Sequence, residues 1–267
     1  MAMKGMSNGR IKYVRRLANA RFREKEKKFL VEGIRFVEEI LGSDWPVEML
    51  IYCKRSMQNP RGKNLLLTAA ARHAILMEVA EDVFAELAET TTPQGIIAVA
   101  PRRCYSLTDM AEVKDPALLV VVDGVQDPGN LGAIVRSADA AAADGVILLK
   151  GTADIYNPKS LRATMGSIFH LPVIQGAAAD EVISFLNHQG IKTVAGDPRG
   201  EKVLFEIDLK VSCALVVGSE AIGTREVLKE NVDELVRIPM PGRAESLNVA
   251  NSVSIMFYET LRQRGVR

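Results

Sequence analysis

A chain of 267 residues, 48% hydrophobic and 25% charged, has room for one large folded domain or two ordinary ones and lacks the composition of a disordered protein. No apolar run approaches the ~20 residues that span a bilayer, and Met1-Ala2-Met3-Lys4-Gly5-Met6 leads into basic residues without a secretory h-region, so the expected compartment is the cytoplasm. The net charge of +1 conceals an asymmetry: residues 1–30 carry ten Lys/Arg against only Glu24 and Glu26, a net of +8, which leaves the rest of the chain at −7.

A basic end on an acidic body suits a partner with a phosphate backbone, and it equally suits a solvated helix face. Cys53, Cys104 and Cys213 are odd in number and scattered, as are His73, His170 and His188. Neither a disulfide framework nor a metal site is expected from them.

In chain order, periodicity predicts a basic helix over 8–21, an amphipathic helix over 33–41, a strand over 47–53 and a helix over 64–72. A strand over 74–78, a helix over 80–88 and a β-branched strand over 95–99 complete a first domain, residues 1–102. Pro101-Arg102-Arg103 opens a polar stretch ending in Lys114-Asp115-Pro116, and 103–116 is the expected linker. From 117 to 267 the register changes. Leu118-Leu119-Val120-Val121-Val122 is a continuous apolar run, the pattern of a strand buried on both faces. A helix over 131–142 and a second apolar strand over 146–149 make a βαβ unit, hence a parallel sheet. Further strands are expected at 172–174, 192–195, 214–217 and 235–238, with helices over 180–187 and 225–229 and a last helix from Leu247.

Ligands of open parallel sheets bind beyond the carboxyl ends of the strands. Three loops leave such ends: Asp123 to Gly132, with Arg136 on the following helix; Gly218-Ser219-Glu220-Ala221-Ile222-Gly223; and Pro239 to Asn248. Gly124, Gly129 and Gly132 do not form GxGxxG, no acidic residue sits cleanly about 20 positions on at the end of the next strand, and no GxxxxGK[ST] occurs, so a nucleotide fold of those kinds is not supported.

Taken together the loops resemble a known family. Asn130-Leu131-Gly132-Ala133-Ile134-Val135-Arg136-Ser137-Ala138, then Gly218 to Gly223, then Ile238-Pro239-Met240-Pro241-Gly242 through Ser246-Leu247-Asn248-Val249-Ala250 are similar to the three successive motifs of the SpoU (TrmH-type) RNA ribose 2′-O-methyltransferases of the SPOUT superfamily. Phe29-Leu30-Val31-Glu32-Gly33 and Thr92-Pro93-Gln94-Gly95 resemble the ribosomal-protein-like RNA-binding domain of family members that act on ribosomal RNA. The resemblance implies an α/β chain: a carboxyl-terminal trefoil-knot (SPOUT) domain with a parallel sheet, preceded by a small α/β RNA-binding domain. It also implies a homodimer, S-adenosylmethionine as cofactor, and an RNA substrate, ribosomal (23S-type) before transfer RNA. A catalytically inactive RNA-binding or assembly factor is the alternative from another class.

By the same resemblance Gly218, Ile238 and Leu247, with Gly196 a fourth, contact the cofactor through main chain and apolar walls. Gly218 and Gly242 are expected to allow close approach of the backbone to it and turns closed to other residues. Arg136 stands at the ribose hydroxyl, arranged by Asn130, Glu220, Ser246 and Asn248. Family accounts make this Arg the general base, whereas a guanidinium is effectively always protonated and suits a cation that fixes phosphate and stabilises a developing alkoxide. Singly, the same residues have plainer readings: Asn130 or Ser246 as helix caps, Asn248 as a first-turn polar residue, Arg136 as a solvated one, Glu220 in an ion pair with Arg225. Trp45, Tyr105 and Tyr156 have the chemistry to stack on bases and, more ordinarily, to pack in cores.

Overall fold

The computed structural model describes residues 4, 5, 7–110, 114–220 and 222–266. Residues 1–3, 6, 111–113 of the expected linker, Ala221 of the second motif and Arg267 lie outside them. The chain divides into two compact units, residues 1–103 with Tyr156–Arg162, and Cys104–Ile155 with Ala163–Arg267.

The first unit runs β1 (Lys4–Gly5), α1 (Asn8–Arg16), α2 (Ala20–Glu26), β2 (Lys28–Glu32), α3 (Ile34–Gly42), β3 (Met49–Tyr52), α4 (Lys54–Met57), α5 (Pro60–Ala71), β4 (Ile75–Glu78), α6 (Glu81–Leu87) and β5 (Ile96–Pro101). Its sheet, ordered β1-β4-β3-β5-β2, is mixed: β4 runs parallel to β1 and β3, while β5 runs antiparallel to β3 and β2. Val14, Leu17, Phe22, Phe84 and Leu87 from α1, α2 and α6 pack with Leu30, Ile51, Ile97 and Val99 of the sheet. The single helix expected over 8–21 is two, because Asn19 takes an extended conformation and its side chain accepts from Phe22 N at 3.2 Å, starting α2. Tyr156, from the middle of the chain, belongs to this unit: its ring lies 4.9 Å from that of Phe29 and 4.2 Å beneath the Arg102 guanidinium.

The second unit continues with β6 (Leu118–Asp123), α7 (Pro128–Ala140), β7 (Gly145–Leu149), α8 (Pro158–Thr164, whose first residues belong to the first unit), β8 (Val173–Ala177), α9 (Ala179–His188), β9 (Lys192–Gly196), β10 (Lys202–Val203), β11 (Cys213–Gly218), α10 (Glu226–Lys229), β12 (Glu234–Arg237) and α11 (Val249–Gln263). Its seven strands, ordered β10-β12-β9-β11-β6-β7-β8, pair in parallel throughout. Every residue of β6, β7 and β11 is buried, as their unbroken apolar runs require of central parallel strands. After β8 the chain returns past β6 to lay down β9, and β11 then fills the gap between β9 and β6. That reversal is the switch point at which ligands of such sheets bind.

Candidate functional site

The register sets four chain segments side by side at the carboxyl edge of the sheet. Gly218, the last residue of β11, pairs with Asp123, the last of β6, and Gly196, the last of β9, pairs with Val236 of β12, two residues before Ile238. Of three residues expected from the resemblance to meet the cofactor, Gly196 and Gly218 thus end neighbouring strands and Ile238 directly follows the next, β12. Behind them lies α11: a Cβ on Gly196 would sit 3.2 Å from Met256 Sδ.

The loop after β11 is a closed turn. Ser219 N donates to Gly223 O at 3.1 Å, Gly223 N to Ser219 O at 2.8 Å, and Ile222 N to Ser219 Oγ at 3.2 Å. A Cβ at Gly218 would meet Gly223 C and Thr224 N at 1.9 Å, so glycine here is required by the loop's own backbone folding over the strand end. The position is thus closed to other residues, as expected of it. Gly242 has open space where its Cβ would stand and no left-handed backbone, so no steric demand for glycine exists there. Arg225 pins the loop. Its main-chain N donates to Asp123 Oδ2 at 2.9 Å and its guanidinium to Oδ1 at 2.7 Å, with the Asp123 carboxylate 1% exposed. Arg225 therefore pairs with Asp123, not with Glu220.

Glu220 has another partner. Asn130 Nδ2 donates to its Oε1 at 2.6 Å, and Asn248 Nδ2 donates to Asn130 Oδ1 at 2.9 Å. One hydrogen-bonded chain thus joins residues from all three motifs. Asp127 holds its middle link: it caps α7, accepting Asn130 N on Oδ1 at 2.8 Å. Asn130 is therefore capped and not itself the cap. On α11 the cap is Asn248, accepting from Ala250 N at 3.0 Å and Asn251 N at 3.4 Å, and the helix begins at Val249. The reading of Ser246 as cap is corrected; Ser246 is exposed, with no hydrogen bond to a described residue, and the structure does not join it to the chain.

Further along, Ser137 Oγ of α7 lies 2.8 Å from Ser254 Oγ of α11. Contacts at both levels mean that α7 and α11 run side by side in the same direction, with their amino ends together at the Asn130–Asn248 pair. Two helix amino termini bring their partial positive charge to one place, although the Asn130, Ala250 and Asn251 N–H groups are already taken by Asp127 and Asn248. Arg136 is exposed and makes no hydrogen bond or ion pair with a described residue. Six residues beyond Asn130, it lies about 9 Å along the α7 axis and about 120° around it. It does not point along the α11-facing stripe, and within one chain the structure does not bring it into the Asn130–Glu220–Asn248 cluster.

Residues 239–247 make no hydrogen bond to any described residue, and all but Met240 are exposed. Leu247 is 36% exposed. Main-chain donors and acceptors left available beside three adjacent strand ends, with Ile238 half-buried and Leu247 open, fit S-adenosylmethionine, whose adenine needs an apolar slot and main-chain partners. Just past Gly196, the Asp197 carboxyl is held well below the usual carboxylate range. Hydrogen bonds from Arg199 lower it most, burial opposes them, and Lys229 at 2.8 Å adds to the lowering.

Residues 117–258 match the SpoU rRNA Methylase family, and residues 8–98 match the MRM3-like substrate binding domain. The chain belongs to the SpoU rRNA methylase family. Among SpoU-family relatives, the 23S rRNA (guanosine(2553)-2′-O)-methyltransferase RlmP of Bacillus subtilis is 36% identical over 251 residues, 94% of this chain and 95% of the relative. The crystal structure of the AdoMet-bound rRNA methyltransferase from Sinorhizobium meliloti has a TM-score of 0.86 and 31% identity, covering 98% of this chain and 97% of that one. The SpoU methyltransferase AviRb from Streptomyces viridochromogenes, in complex with the cofactor AdoMet, gives a TM-score of 0.87 at 31% identity over 97% of this chain and all of that one. The α/β SPOUT architecture with a parallel sheet, following a small substrate-binding domain, is the fold these SpoU structures share with the chain.

The basic amino-terminal count overstates the surface it supplies. Arg23 is 2% exposed and donates to Leu17 O and Ala18 O, tying off the end of α1, and Lys28 pairs with Glu48 at 2.6 Å. Lys12, Arg21 and Lys25 remain exposed without an ion pair among the described residues. Trp45 and Tyr156 are buried, at 1% and 3% exposure, and Tyr105 packs against the core of the second unit, so none of the three is placed to receive a base. Sequence reasoning missed Asp127 and the Asp123–Arg225 pair. The signal for Asp127 was present in Asp-Pro-Gly-Asn, an N-cap followed by proline at the first helical position; Asp123 and Arg225 are 102 positions apart, and no local signal links them.

Proposed function

We propose that this chain transfers the methyl group of S-adenosylmethionine to a ribose 2′-hydroxyl of 23S-type ribosomal RNA. The observation that carries the reading is the chain Asn248–Asn130–Glu220, which gathers all three motifs at the amino ends of two parallel helices beside the strand ends Gly196 and Gly218 and the adjoining Ile238. The named 23S rRNA substrate of RlmP, and AdoMet in the two related crystal structures, support substrate and cofactor. Transfer RNA is the second reading; the match of residues 8–98 to a substrate binding domain and the full-length likeness to rRNA enzymes favour ribosomal RNA. The reading places the protein in the cytoplasm with that RNA. No helix among the described residues is long and apolar enough to cross a membrane.

When bound, the cofactor supplies a methyl already activated by sulfonium charge. Gly196, Gly218, Ile238 and Leu247 would hold it through main chain and apolar contacts, with a tail threaded as a trefoil knot keeping the third loop against the second. The paired amino ends of α7 and α11 receive the phosphate flanking the target ribose, with Ser246 and Asn248 donating to it. Such positioning of a nucleophile against its electrophile can lower a barrier by ~7–11 kcal/mol. Arg136 fixes the phosphate and stabilises the alkoxide developing on O2′.

Because Arg136 faces away from its own chain's cluster, the reading includes a homodimer in which Arg136 of one copy serves the site of the other. Ile255 and Tyr258, 38% and 72% exposed on one stripe of α11, are apolar surface for such a contact. Complementation tests it. Arg136→Ala and Glu220→Gln copies, each inactive alone, should recover about a quarter of wild-type methyl transfer when refolded together at equal ratio, since half the dimers then carry one complete site in two. No recovery, with mixed dimers demonstrated by mass spectrometry, refutes the arrangement across the dimer. Tritiated methyl transfer to unmodified 23S rRNA, with the product mapped to a ribose 2′-O, tests the activity itself.

A further inference from the structure

We infer that Asp123 and Asp197 clamp the loop after β11 from both sides, and that this clamp, through Arg225 and Lys229, holds the strand end Gly218 ready for S-adenosylmethionine. The inference rests on the methyl-transfer reading above. Strand order carries it. In the sheet β11 lies between β9 and β6. Gly218 ends β11 and pairs with Asp123 of β6. On the other side Ala195 of β9 pairs with Val216, so Asp197, two residues further on, comes level with Gly218. Two carboxylates, with side chains 1% and 5% exposed, thus flank the point from which the loop departs.

The chain leaving Gly218 closes on itself through the Ser219–Gly223 bonds and then meets each carboxylate in turn. Arg225 gives Asp123 its main-chain N–H on Oδ2 at 2.9 Å and its guanidinium on Oδ1 at 2.7 Å. At the far end of α10, Lys229 Nζ stands 2.8 Å from Asp197 Oδ2, with only 11% of its side chain exposed. Asp197 Oδ1 is taken by Arg199, from its main-chain N at 2.9 Å and Nε at 3.1 Å. The short helix Glu226–Lys229 is therefore fastened at both ends to strands on opposite sides of β11. Charges withdrawn from water attract more strongly than surface ones, and removing one partner strands the other. The loop has no slack to absorb such a loss, since Gly223 C and Thr224 N already fill the space where a Cβ on Gly218 would stand. What the clamp holds is the Gly218 main chain and the turn that carries Glu220 to Asn130, so Asp123 and Asp197 are positioning residues acting through the backbone.

Arg225→Ala opens one arm and Lys229→Ala the other. Amide exchange in the cofactor-free protein reads the clamp directly: the Ser219, Ile222 and Gly223 N–H groups should exchange about tenfold faster in each variant, with β6 and β11 still protected. Titration calorimetry with S-adenosylmethionine is run at a temperature where circular dichroism shows each variant folded. Its Kd should rise about tenfold, because a loop competent a tenth of the time binds with a tenth of the affinity. Arg225 is 46% exposed, so guanidinium ion at millimolar concentration should enter the vacated place in Arg225→Ala and restore Kd to within about threefold of wild type. Urea, of the same shape without the charge, should not. Arg225→Lys, which keeps the charge and loses the planar fork, replaces Arg225→Ala if the latter does not fold, with an expected rise in Kd of about threefold. Unchanged amide exchange, a Kd within about twofold of wild type in both alanine variants, or equal rescue by guanidinium and urea overturns the inference. A wild-type protein that does not bind S-adenosylmethionine overturns the methyl-transfer reading instead, while amide exchange still reads the clamp.

Discussion

Asn248 does two things with one side chain, and two substitutions separate them. Its Oδ1 caps α11, accepting from Ala250 and Asn251, and its Nδ2 donates to Asn130. Asn248→Ala removes both. Loss of an N-cap costs about 1 kcal/mol, within a range of roughly 0.5–2, and a neutral hydrogen bond between partly solvated groups contributes about 0.5–1 kcal/mol more. The site is exposed, so the sum falls near 1.5 kcal/mol, which for a unit of this size lowers the melting midpoint by about 3–6 °C. Asn248→Asp keeps the cap, since Asp caps as well as Asn and its charge suits the helix amino end, but it sets an acceptor against Asn130 Oδ1. Calorimetry should then show a shift under about 2 °C for Asn248→Asp, with methyl transfer reduced about as far as in Asn248→Ala. Equal destabilisation by both variants, or full activity in Asn248→Asp, would refute the coupling of the third motif to the first through this amide.

Gly218→Ala forces a Cβ to 1.9 Å from Gly223 C, a clash with backbone, and should cost more than about 2 kcal/mol, whereas Gly242→Ala, in open space, should leave chemical denaturation midpoints unchanged or slightly raised. Asp197 carries a depressed pKa, so its stabilisation is complete above the ordinary value of 3.8 and is lost as pH falls through the lower folded value. Asp197→Asn should accordingly be less stable than wild type at neutral pH, with the gap closing during acid titration; a gap independent of pH contradicts the pairing with Arg199 and Lys229. If α1 and α2 carry RNA phosphates, Lys12→Ala and Arg21→Ala should each weaken RNA binding at low salt and reduce the slope of log K against log salt by roughly 0.7–0.9 in filter-binding titrations, and an unchanged slope would mark their face as merely solvated.

Local physics made much of the fold legible in the sequence. Unbroken β-branched apolar runs such as Leu118 to Val122 and Ala214 to Val217 suit strands buried on both faces, and both lie at the centre of the parallel sheet. Helix ends were less legible, because caps depend on one residue's backbone: Asn19 splits the first helix, and Asn248, not Ser246, starts the last. The short strand Lys202–Val203 and the helix Pro158–Thr164 carry too few periods to be read at all.

What the sequence determined is the set of chemical groups and the edges on which they stand: polar and glycine-rich loops at the carboxyl ends of parallel strands, recognisable when the three are taken together. What the tertiary structure decided is which of those groups meet. Asn130 finds Glu220 90 positions away and Asn248 118 away, Arg225 is taken by Asp123, and Arg136 is turned from the cluster by the pitch of its own helix. Side-chain pairing across such separations is set by strand order and helix direction, which no local pattern encodes.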